Sequence, residues 1–172
     1  MHNVDCATEL EKQWFAIYTR SSFEKRVGEH FAVRNIDYFL PTYRIIHRWK
    51  NRCTKTIYPV LFPGYIFVQI LPTERIRVLE VPGVVYIVGT QRKPTPLPGT
   101  WIDSLRTGAQ MYDIEPHPYL AIGQRARINQ GPFIGLEGII VRKTNALRVI
   151  LSLDMIMKSI SVELDESYVE LI

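Results

Sequence analysis

The chain of 172 residues has only two cysteines, Cys6 and Cys53, and no CxxC pair. Because they lie far apart and Cys6 belongs to a polar N-terminal stretch, we expect free thiols in a reducing cytosol, with no disulfide. No apolar run approaches the ~20 residues that a membrane helix needs. The first stretch also lacks the basic start and apolar centre of a signal peptide. These absences disfavour a membrane protein and a disulfide-rich secreted protein.

The motifs of common enzymes and metal sites are also missing. The four histidines are scattered, and neither HExxH nor a clustered Cys/His spacing occurs. Ser152 and Asp154 lie close together, but no histidine is near them in sequence and there is no nucleophile elbow. We therefore expect a protein that is not an enzyme and that uses no cofactor and no metal.

The excess positive charge is confined to the first two-thirds of the chain. Residues 1–118 contain 15 Lys and Arg against 11 Asp and Glu, whereas residues 119–172 contain 6 of each. Five cations fall within a dozen residues, namely Arg44, Arg48, Lys50, Arg52 and Lys55. Such a run is typical of a solvated hairpin or of a nucleic-acid-binding surface, and the pattern leaves both open.

The chain begins with a strand pattern followed by a helix pattern. Residues 14–19 are β-branched and aromatic, which predicts a strand. Ser21 and Glu24 fit a capping box, in which each side chain bonds the backbone N–H of the other residue. Apolar residues then recur every four positions, which predicts a helix to about Asn35 with a charged outer side.

The next segments continue the alternation of strands and helices. Two extended runs on either side of the basic stretch predict a long hairpin with a basic tip. Strands are predicted at 65–70 and 84–88, with a short helix from Thr73 between them and a last helix from Trp101. This order predicts an α+β fold, in which helices pack on a mostly antiparallel sheet.

The pattern changes after residue 110. Residues 111–119 contain two prolines and no periodicity, which predicts a linker. The rest consists of short β-rich runs at regular spacing, which predict a small five-stranded antiparallel β-barrel. The predicted organisation is therefore a disordered tail (1–13), an N-terminal α+β domain (14–110), the linker (111–119) and a C-terminal barrel (120–172).

Four segments, in order along nearly the whole chain after the tail, resemble the NusG family of bacterial transcription elongation factors. The opening strand and helix of that family's N-terminal domain resemble WFAIYTRSSFEKRV at 14–27. Its central strand resembles LFPGYIFV at 61–68, and its closing part resembles VPGVVYIVG at 81–89. The barrel carries GQRARINQGPFIGLEGIIV at 123–141, which is similar to a KOW motif.

The glycines of the KOW-like segment have a physical role. Gly131 and Pro132 predict a turn, while Gly135 and Gly138 allow a positive φ or a close approach of two backbones. A phosphate-binding loop is disfavoured, because no Lys-Ser or Lys-Thr follows these glycines. In one family member the second domain can refold into a helical hairpin, but the many valines here predict strands.

The resemblance implies a non-enzymatic factor of the bacterial cytoplasm, acting as a monomer. It would bind RNA polymerase across its cleft and promote processive, anti-pausing and antiterminating transcription of particular operons. Specialised paralogues such as the UpxY group are favoured, because PTYRIIHRWKNR and EPHPYL resemble theirs and SLDMIMKS replaces the Phe-Gly-Arg loop of housekeeping members. Two alternatives are a housekeeping NusG-type factor that couples polymerase to termination factor or ribosome, and a KOW-containing RNA-binding module.

The resemblance also implies contact residues. An exposed apolar patch would grip the coiled coil of the polymerase clamp, with Tyr18, Phe62 and Phe67 at the matching positions. Strand alternation leaves open which face is inward, so the alternative is that all three are core residues. Non-template DNA or upstream duplex DNA would be contacted from the first helix and the hairpin tip, by Arg20, Arg26, His30, Arg48, Lys50 and Arg52.

Two further surfaces are implied more distantly. A second polymerase contact across the cleft falls near Thr73, Arg75 and Arg77. In the barrel, Met155, Ile156 and Met157 form an apolar stretch. This stretch is either core filling or a surface for a partner such as a ribosomal protein.

Overall fold

The computed structural model describes residues 11–49, 53–90, 93–118, 123–143 and 146–172. Most of the predicted tail, including Cys6, lies outside these residues. The chain divides into two compact units. The first unit runs up to Leu40 and includes Phe62–Ile102, and the second comprises Pro41–Leu61 and Asp103–Ile172.

The regular structure of the described residues consists of three helices, fourteen strands and short 3₁₀ turns. In chain order the elements are β1 (Gln13–Thr19), α1 (Glu24–Val33), β2 (Asp37–Phe39), β3 (Ile45–Arg48), β4 (Thr54–Ile57), β5 (Tyr65–Ile70), α2 (Arg75–Leu79), β6 (Val84–Ile87), β7 (Gly89–Thr90), β8 (Lys93–Pro94), α3 (Gly99–Met111), β9 (Ile114–His117), β10 (Arg125–Ile128), β11 (Glu137–Lys143), β12 (Ala146–Leu153), β13 (Lys158–Leu164) and β14 (Val169–Leu171). None of these three helices is both long and apolar enough to cross a membrane. Across the same residues, no cluster of three or more His, Cys, Asp or Glu side chains is placed to hold a metal ion.

The first unit is built on a four-stranded antiparallel sheet in the order β2-β5-β1-β6. One face of this sheet carries Phe15 and Ile17 of β1, which pack with Val27 and Phe31 of α1 in a single core. The alternating apolar residues of β5 complete this core from the neighbouring strand. The predicted α+β fold of the N-terminal part is therefore confirmed.

The start of α1 differs from the prediction. The residue before the helix, Phe23, makes no side-chain cap hydrogen bond, so the predicted Ser21–Glu24 capping box is wrong. Ser22 has a φ of 63°, which turns the chain away from the extended entry that a capping box uses. The Glu24 carboxylate is buried and accepts a 2.6 Å hydrogen bond from the backbone N–H of Gly64 instead.

The second unit contains a six-stranded antiparallel sheet in the order β14-β10-β11-β12-β13-β9, together with the β3–β4 hairpin. Its five C-terminal strands were predicted. The sixth, β9, lies in the segment predicted as a linker and pairs with β13, placing Ile114 opposite Val162. Pro116 is tolerated because β9 is an edge strand, where a missing N–H removes no interior ladder bond.

Charged side chains fix β9 to its neighbours in this sheet. The Arg148 guanidinium lies 2.7 Å from the Glu115 carboxylate of β9 and 3.3 Å from that of Glu163 on β13. The C-terminal half of α3 also belongs to this unit, because a Cβ at Gly108 would overlap the Phe133 ring. The structure therefore contains helix and strand where residues 111–119 were predicted to be an unstructured linker.

The KOW-like turn confirms the predicted roles of its glycines. Gly135 has a φ of +83°, in the left-handed region that favours glycine. Gly138 sits where a Cβ would lie 2.6 Å from the carbonyl oxygen of Ile150, so β11 and β12 approach too closely for a side chain. The C-terminal part of the chain is strand-rich, as the sequence predicted.

Candidate functional site

The face of the first sheet opposite α1 is lined with aromatic residues. Alternation along β1 places Tyr18 on the face opposite the core residues Phe15 and Ile17. Cross-strand pairing extends this face, because Tyr65 of β5 and Tyr86 of β6 both lie opposite Tyr18. One end of the face is therefore formed by three tyrosines from three adjacent strands.

These three residues, Tyr18, Tyr65 and Tyr86, form what we call the tyrosine triad. The ring centroid of Tyr18 lies 5.3 Å from that of Tyr65 and 5.0 Å from that of Tyr86, the latter pair stacked. Tyr18 and Tyr65 are half-buried, and Tyr86 is 47% exposed. Partial burial raises the pKa of the Tyr65 phenol above its ordinary value, and Tyr86 and Tyr18 add to the rise. The triad is thus a neutral aromatic surface accessible to a partner.

Beside the triad, the same face carries four aromatic residues that we call the buried aromatic cluster, namely Phe39, Phe62, Phe67 and Trp101. Phe39 is half-buried and the other three are buried. The Phe62 and Phe67 ring centroids are 6.0 Å apart, and Trp101 of α3 lies 6.1 Å and 6.3 Å from them. Phe62 is 1% exposed and Phe67 is fully buried. The prediction that these two phenylalanines form an exposed contact patch is therefore corrected, because Trp101 covers them.

A tight turn joins the buried aromatic cluster to the triad. It is closed by a 3.0 Å hydrogen bond from the Tyr65 N–H to the Phe62 carbonyl. At its apex Gly64 has a φ of +86°, and a Cβ there would lie 3.3 Å from the Tyr18 ring. The Gly64 carbonyl accepts from Thr19 at 2.8 Å, and its N–H donates to Glu24. Glu24 thus fixes the turn that sets the position of Tyr65.

Sequence reasoning missed Tyr65, Tyr86 and Glu24. Tyr65 carries a usable signal, because it lies two residues before Phe67 and must share its face. Tyr86 joins the triad only through the register of β1 with β6, which includes an irregularity after Tyr18. A sequence alone does not supply that register.

The outer side of α1 carries the predicted basic residues. Arg20, Arg26 and His30 are all exposed. Arg26 and His30 lie one helical turn apart, so their side chains emerge on the same side of the helix. The Arg26 guanidinium lies 5.6 Å from the centroid of the Phe23 ring, a cation–π contact. Arg20 precedes the helix, where its backbone N–H bonds the Gly83 carbonyl at 2.8 Å.

The hairpin β3–β4 presents rings and cations together. Lys55 lies opposite His47, and the rings of His47 and Trp49 meet edge-on with centroids 5.0 Å apart. Arg48 and Trp49 are exposed. Arg44 lies 3.9 Å from the Asp113 carboxylate, which offsets part of its charge. The predicted contact residues Lys50 and Arg52 lie outside the described residues.

The three residues proposed for a second contact have different environments. Thr73 is exposed in the 3₁₀ turn that precedes α2, and Arg75 is exposed at the first residue of α2. Arg77 donates at 2.6 Å to the Glu74 carboxylate and at 3.0 Å to the Arg34 carbonyl at the end of α1. Arg77 therefore joins the two helices, which favours a positioning role over a contact with a partner.

The apolar stretch of the second unit is split by a short 3₁₀ turn at Asp154–Ile156. Ile156 is 3% exposed, so of the two alternatives that the sequence left open it fills the core and is not part of a partner surface. Met155 is half-buried, whereas Met157 adopts a φ of 51° and is 59% exposed. The left-handed backbone at Met157 turns its side chain out of the core that receives Ile156.

The model of a known family, described as transcription termination factor nusG, matches residues 12–106, which is more than half of the chain. The chain belongs to the NusG family. The transcription termination/antitermination protein NusG of Escherichia coli K12 is 27% identical, with 93% of this chain and 96% of that protein covered. The NusG of Lactococcus lactis strain IL1403 is 29% identical, with 94% of each chain covered.

A solved structure of Thermotoga maritima NusG has the same fold, with a TM-score of 0.57 at 23% identity over 95% of this chain and 99% of that chain. The resemblance predicted from four sequence segments is therefore confirmed at the level of the NusG family of transcription termination and antitermination factors. The family match includes β1, α1, β5 and β6. The triad and the basic side of α1 thus lie inside the matched region.

Proposed function

We propose that this chain binds RNA polymerase through the tyrosine triad and promotes processive, antiterminating transcription of particular operons. The observation that carries the proposal is the triad itself, in which the Tyr18 ring contacts the other two and all three remain accessible beside the buried aromatic cluster. Tyrosine is enriched among the residues that dominate binding energy at protein interfaces. The polymerase element we expect there is the coiled coil of the clamp.

The triad suits an interface that forms and dissociates. A tyrosine ring offers apolar area while its hydroxyl remains hydrated, so it tolerates water before the partner arrives. The contacts of the Tyr18 ring with the Tyr65 and Tyr86 rings limit the rotamer freedom of all three, which lowers the entropy lost on binding. In this proposal Phe62 and Phe67 stabilise the part of the sheet that carries the triad, and they do not contact the partner.

The basic side of α1 supports a second contact, with non-template or upstream duplex DNA. Among the described residues Arg20, Arg26 and His30 form no ion pair, so the charges of the two arginines are available to a phosphate. Phosphate contacts add affinity with little choice of sequence. On the hairpin, Arg48 adds charge and Trp49 adds a ring on which a base can stack. Lys50 and Arg52 join this proposal from the sequence alone.

Two smaller contacts complete the proposal. Thr73 and Arg75 would touch the far side of the polymerase cleft, while Arg77 holds α2 in place. Met155 and Met157 would provide the surface for a ribosomal protein. Binding across the cleft would favour one conformation of the polymerase, so the factor would act on a conformational equilibrium without any chemical step.

The decisive experiment compares polymerase binding by wild type and by the double variant Tyr65→Ala with Tyr86→Ala. If the triad is the anchor, affinity should fall by about 30-fold or more, corresponding to about 2 kcal/mol. The matched control is Tyr58→Ala, which removes an exposed tyrosine outside the triad and should bind like wild type. A folded double variant that binds polymerase as tightly as wild type would contradict the proposal.

The nucleic-acid contact has its own measurement. Arg20→Ala combined with Arg26→Ala should weaken binding to a paused complex with an exposed non-template strand. The loss should shrink as salt rises, because phosphate contacts release counterions. The control, Lys25→Ala, removes an exposed cation of the same helix. Equal losses in both variants would mean that only the net charge matters.

A housekeeping role is the second candidate, favoured by the coverage of relatives named termination/antitermination proteins over 93–94% of this chain. Such a factor would couple polymerase to the termination factor or the ribosome. A transcription assay with and without termination factor separates the two roles. A specialised factor should suppress termination in both, whereas a housekeeping factor should increase it when termination factor is present.

A further inference from the structure

A cavity of about 270 Å³ opens in the first unit beside the start of β1 and the end of β5. Its floor is formed by Phe15 and Ile70, both of which belong to the buried core under α1. Ile87 of β6 forms one wall. The cavity is therefore an extension of the hydrophobic core that the chain's own side chains leave unfilled.

The remaining walls combine three prolines with three polar side chains, those of Gln13, Arg75 and Lys93. Pro72, Pro94 and Pro96 line the cavity, and proline has no backbone N–H. An apolar cavity of roughly 150 Å³ accommodates benzene, which has six carbons. By that scale, the present cavity accommodates an apolar group of roughly ten carbons.

Two cations line the cavity, and none of the described residues in its lining carries a carboxylate. Arg75 begins α2, Lys93 lies in β8, and both contribute to the lining. Among the residues that the structure describes, neither side chain takes part in an ion pair. An apolar chamber with two uncompensated cations is complementary to an amphiphile with a negatively charged head.

We propose that this cavity is a binding site for a medium-chain carboxylate. The acyl chain lies on Phe15, Ile70 and Ile87, and the carboxylate accepts from Arg75 and Lys93. The site lies on the helix side of the sheet, whereas the tyrosine triad lies on the opposite face. It is therefore independent of the proposed triad contact with polymerase, and it shares only Arg75 with the proposed second contact.

The first test is a chain-length series on the intact protein, using straight-chain carboxylates from about six to about fourteen carbons at concentrations below micelle formation. Each added methylene should tighten binding about fourfold. The gain should end near roughly ten carbons, where the cavity is full. Backbone NMR shifts that saturate at Phe15, Ile70 and Ile87 would place the ligand. Shifts that scatter over the surface without saturating would overturn the proposal.

The second test asks whether the charged head matters. Decanol has the same chain as decanoate without the negative charge, and it should bind at least ~10-fold more weakly. Lys93→Glu reverses an exposed cation and should weaken decanoate binding by about fivefold or more. Its matched control is Lys25→Glu, which makes the same change on α1 away from the cavity. Equal affinity for decanol and decanoate, or equal decanoate affinity in Lys93→Glu and wild type, would show that the cavity binds apolar chains without recognising a carboxylate. That result would overturn the proposal.

The third test fills the cavity. Ile87→Trp places a large ring in the space that the acyl chain would occupy, so decanoate affinity should fall at least ~10-fold. Val85→Trp adds the same ring two residues earlier in β6, at an exposed position outside the lining, and should leave binding unchanged. Wild-type affinity in a folded Ile87→Trp would overturn the proposal. If Ile87→Trp fails to fold, Lys93→Glu decides.

Discussion

The aromatic face of the first sheet has two neighbouring parts, called its two ends below, that are both aromatic but differ in exposure. At one end Phe62 and Phe67 pack with Trp101 and lose nearly all contact with solvent. At the other end the triad remains half-exposed. Phe67 and Tyr65 are two residues apart in β5, so strand alternation gives both rings the same face. The difference comes from α3, whose Trp101 covers only the phenylalanine end.

The chemistry of each ring suits the extent to which it is buried. Phenylalanine has no polar atom to satisfy, so it suits the dry end under Trp101. Tyrosine carries a hydroxyl that stays hydrated, so it suits the end that remains open. The two ends of this apolar face therefore have different roles. The dry end holds the fold together, and the wet end is the part available to a partner.

The strongest way to break this comparison is to remove one ring from each end. Phe67→Ala leaves a cavity in the buried aromatic cluster and should destabilise the first unit by about 3–5 kcal/mol. Tyr86→Ala removes a half-exposed stacked ring and should cost about 1 kcal/mol or less. Urea titration followed at backbone NMR signals of β1 and β5 measures the first unit by itself. Similar losses at both ends would contradict the division into a dry and a wet end.

Glu24 links the two ends, because its carboxylate accepts a hydrogen bond from the turn that joins Phe62 to Tyr65. Glu24→Ala should destabilise the first unit by about 1–3 kcal/mol, since the Gly64 N–H loses its buried acceptor. It should also shift the NMR signals of the Tyr65 ring more than those of Phe67. Glu24→Gln keeps an acceptor oxygen and should recover most of the loss.

The control for Glu24 is Glu29→Ala, an exposed residue on the same helix, which should change stability little. If Glu24→Gln is as damaging as Glu24→Ala, the charge of the carboxylate matters more than the hydrogen bond. The negative charge at the helix N-terminus would then be the larger contribution.

Much of the fold was predictable because it follows from local patterns. β5 was predicted at its observed bounds from β-branched and aromatic residues ended by turn signals. Gly135 and Gly138 were predicted from the requirement for a positive φ or a close approach. The family was predictable because four segments matched in order, which no single motif would have allowed.

What was not predictable depends on contacts between distant residues. Glu24 lies forty residues before Gly64, so the local capping box was the only partner visible in the sequence. Phe62 and Phe67 were assigned to the contact patch by the resemblance, because strand alternation leaves open which face is inward. Only the packing of Trp101 decides that both are covered. The strand β9 was hidden because Pro116 signals a linker unless the strand lies at a sheet edge. The contact roles of the triad and of the basic residues remain predictions.

The smallest expected effect is on the pH dependence of stability. Tyr65 carries an ionisable phenol at the half-exposed end, whereas the phenylalanines of the buried end do not ionise. Partial burial raises the pKa of this phenol above its ordinary value, with Tyr86 and Tyr18 adding to the rise. As the pH increases above about 10, the phenol therefore ionises first in the unfolded chain. Its contribution to stability is present below the unfolded pKa and is lost as the pH rises through the folded pKa.

Tyr65→Phe removes this ionisable group and leaves the ring in place. Stability at neutral pH should change little, and the alkaline decline in the urea midpoint should become slightly shallower than in wild type. Tyr58→Phe, which removes an exposed phenol outside the triad, should leave the decline as it is. An unchanged decline in Tyr65→Phe would mean that the phenol ionises alike in the folded and unfolded chains. The Tyr65 phenol would then be as hydrated in the folded chain as in the unfolded chain. The three rings of the triad would in that case bury too little surface to preorganise a contact.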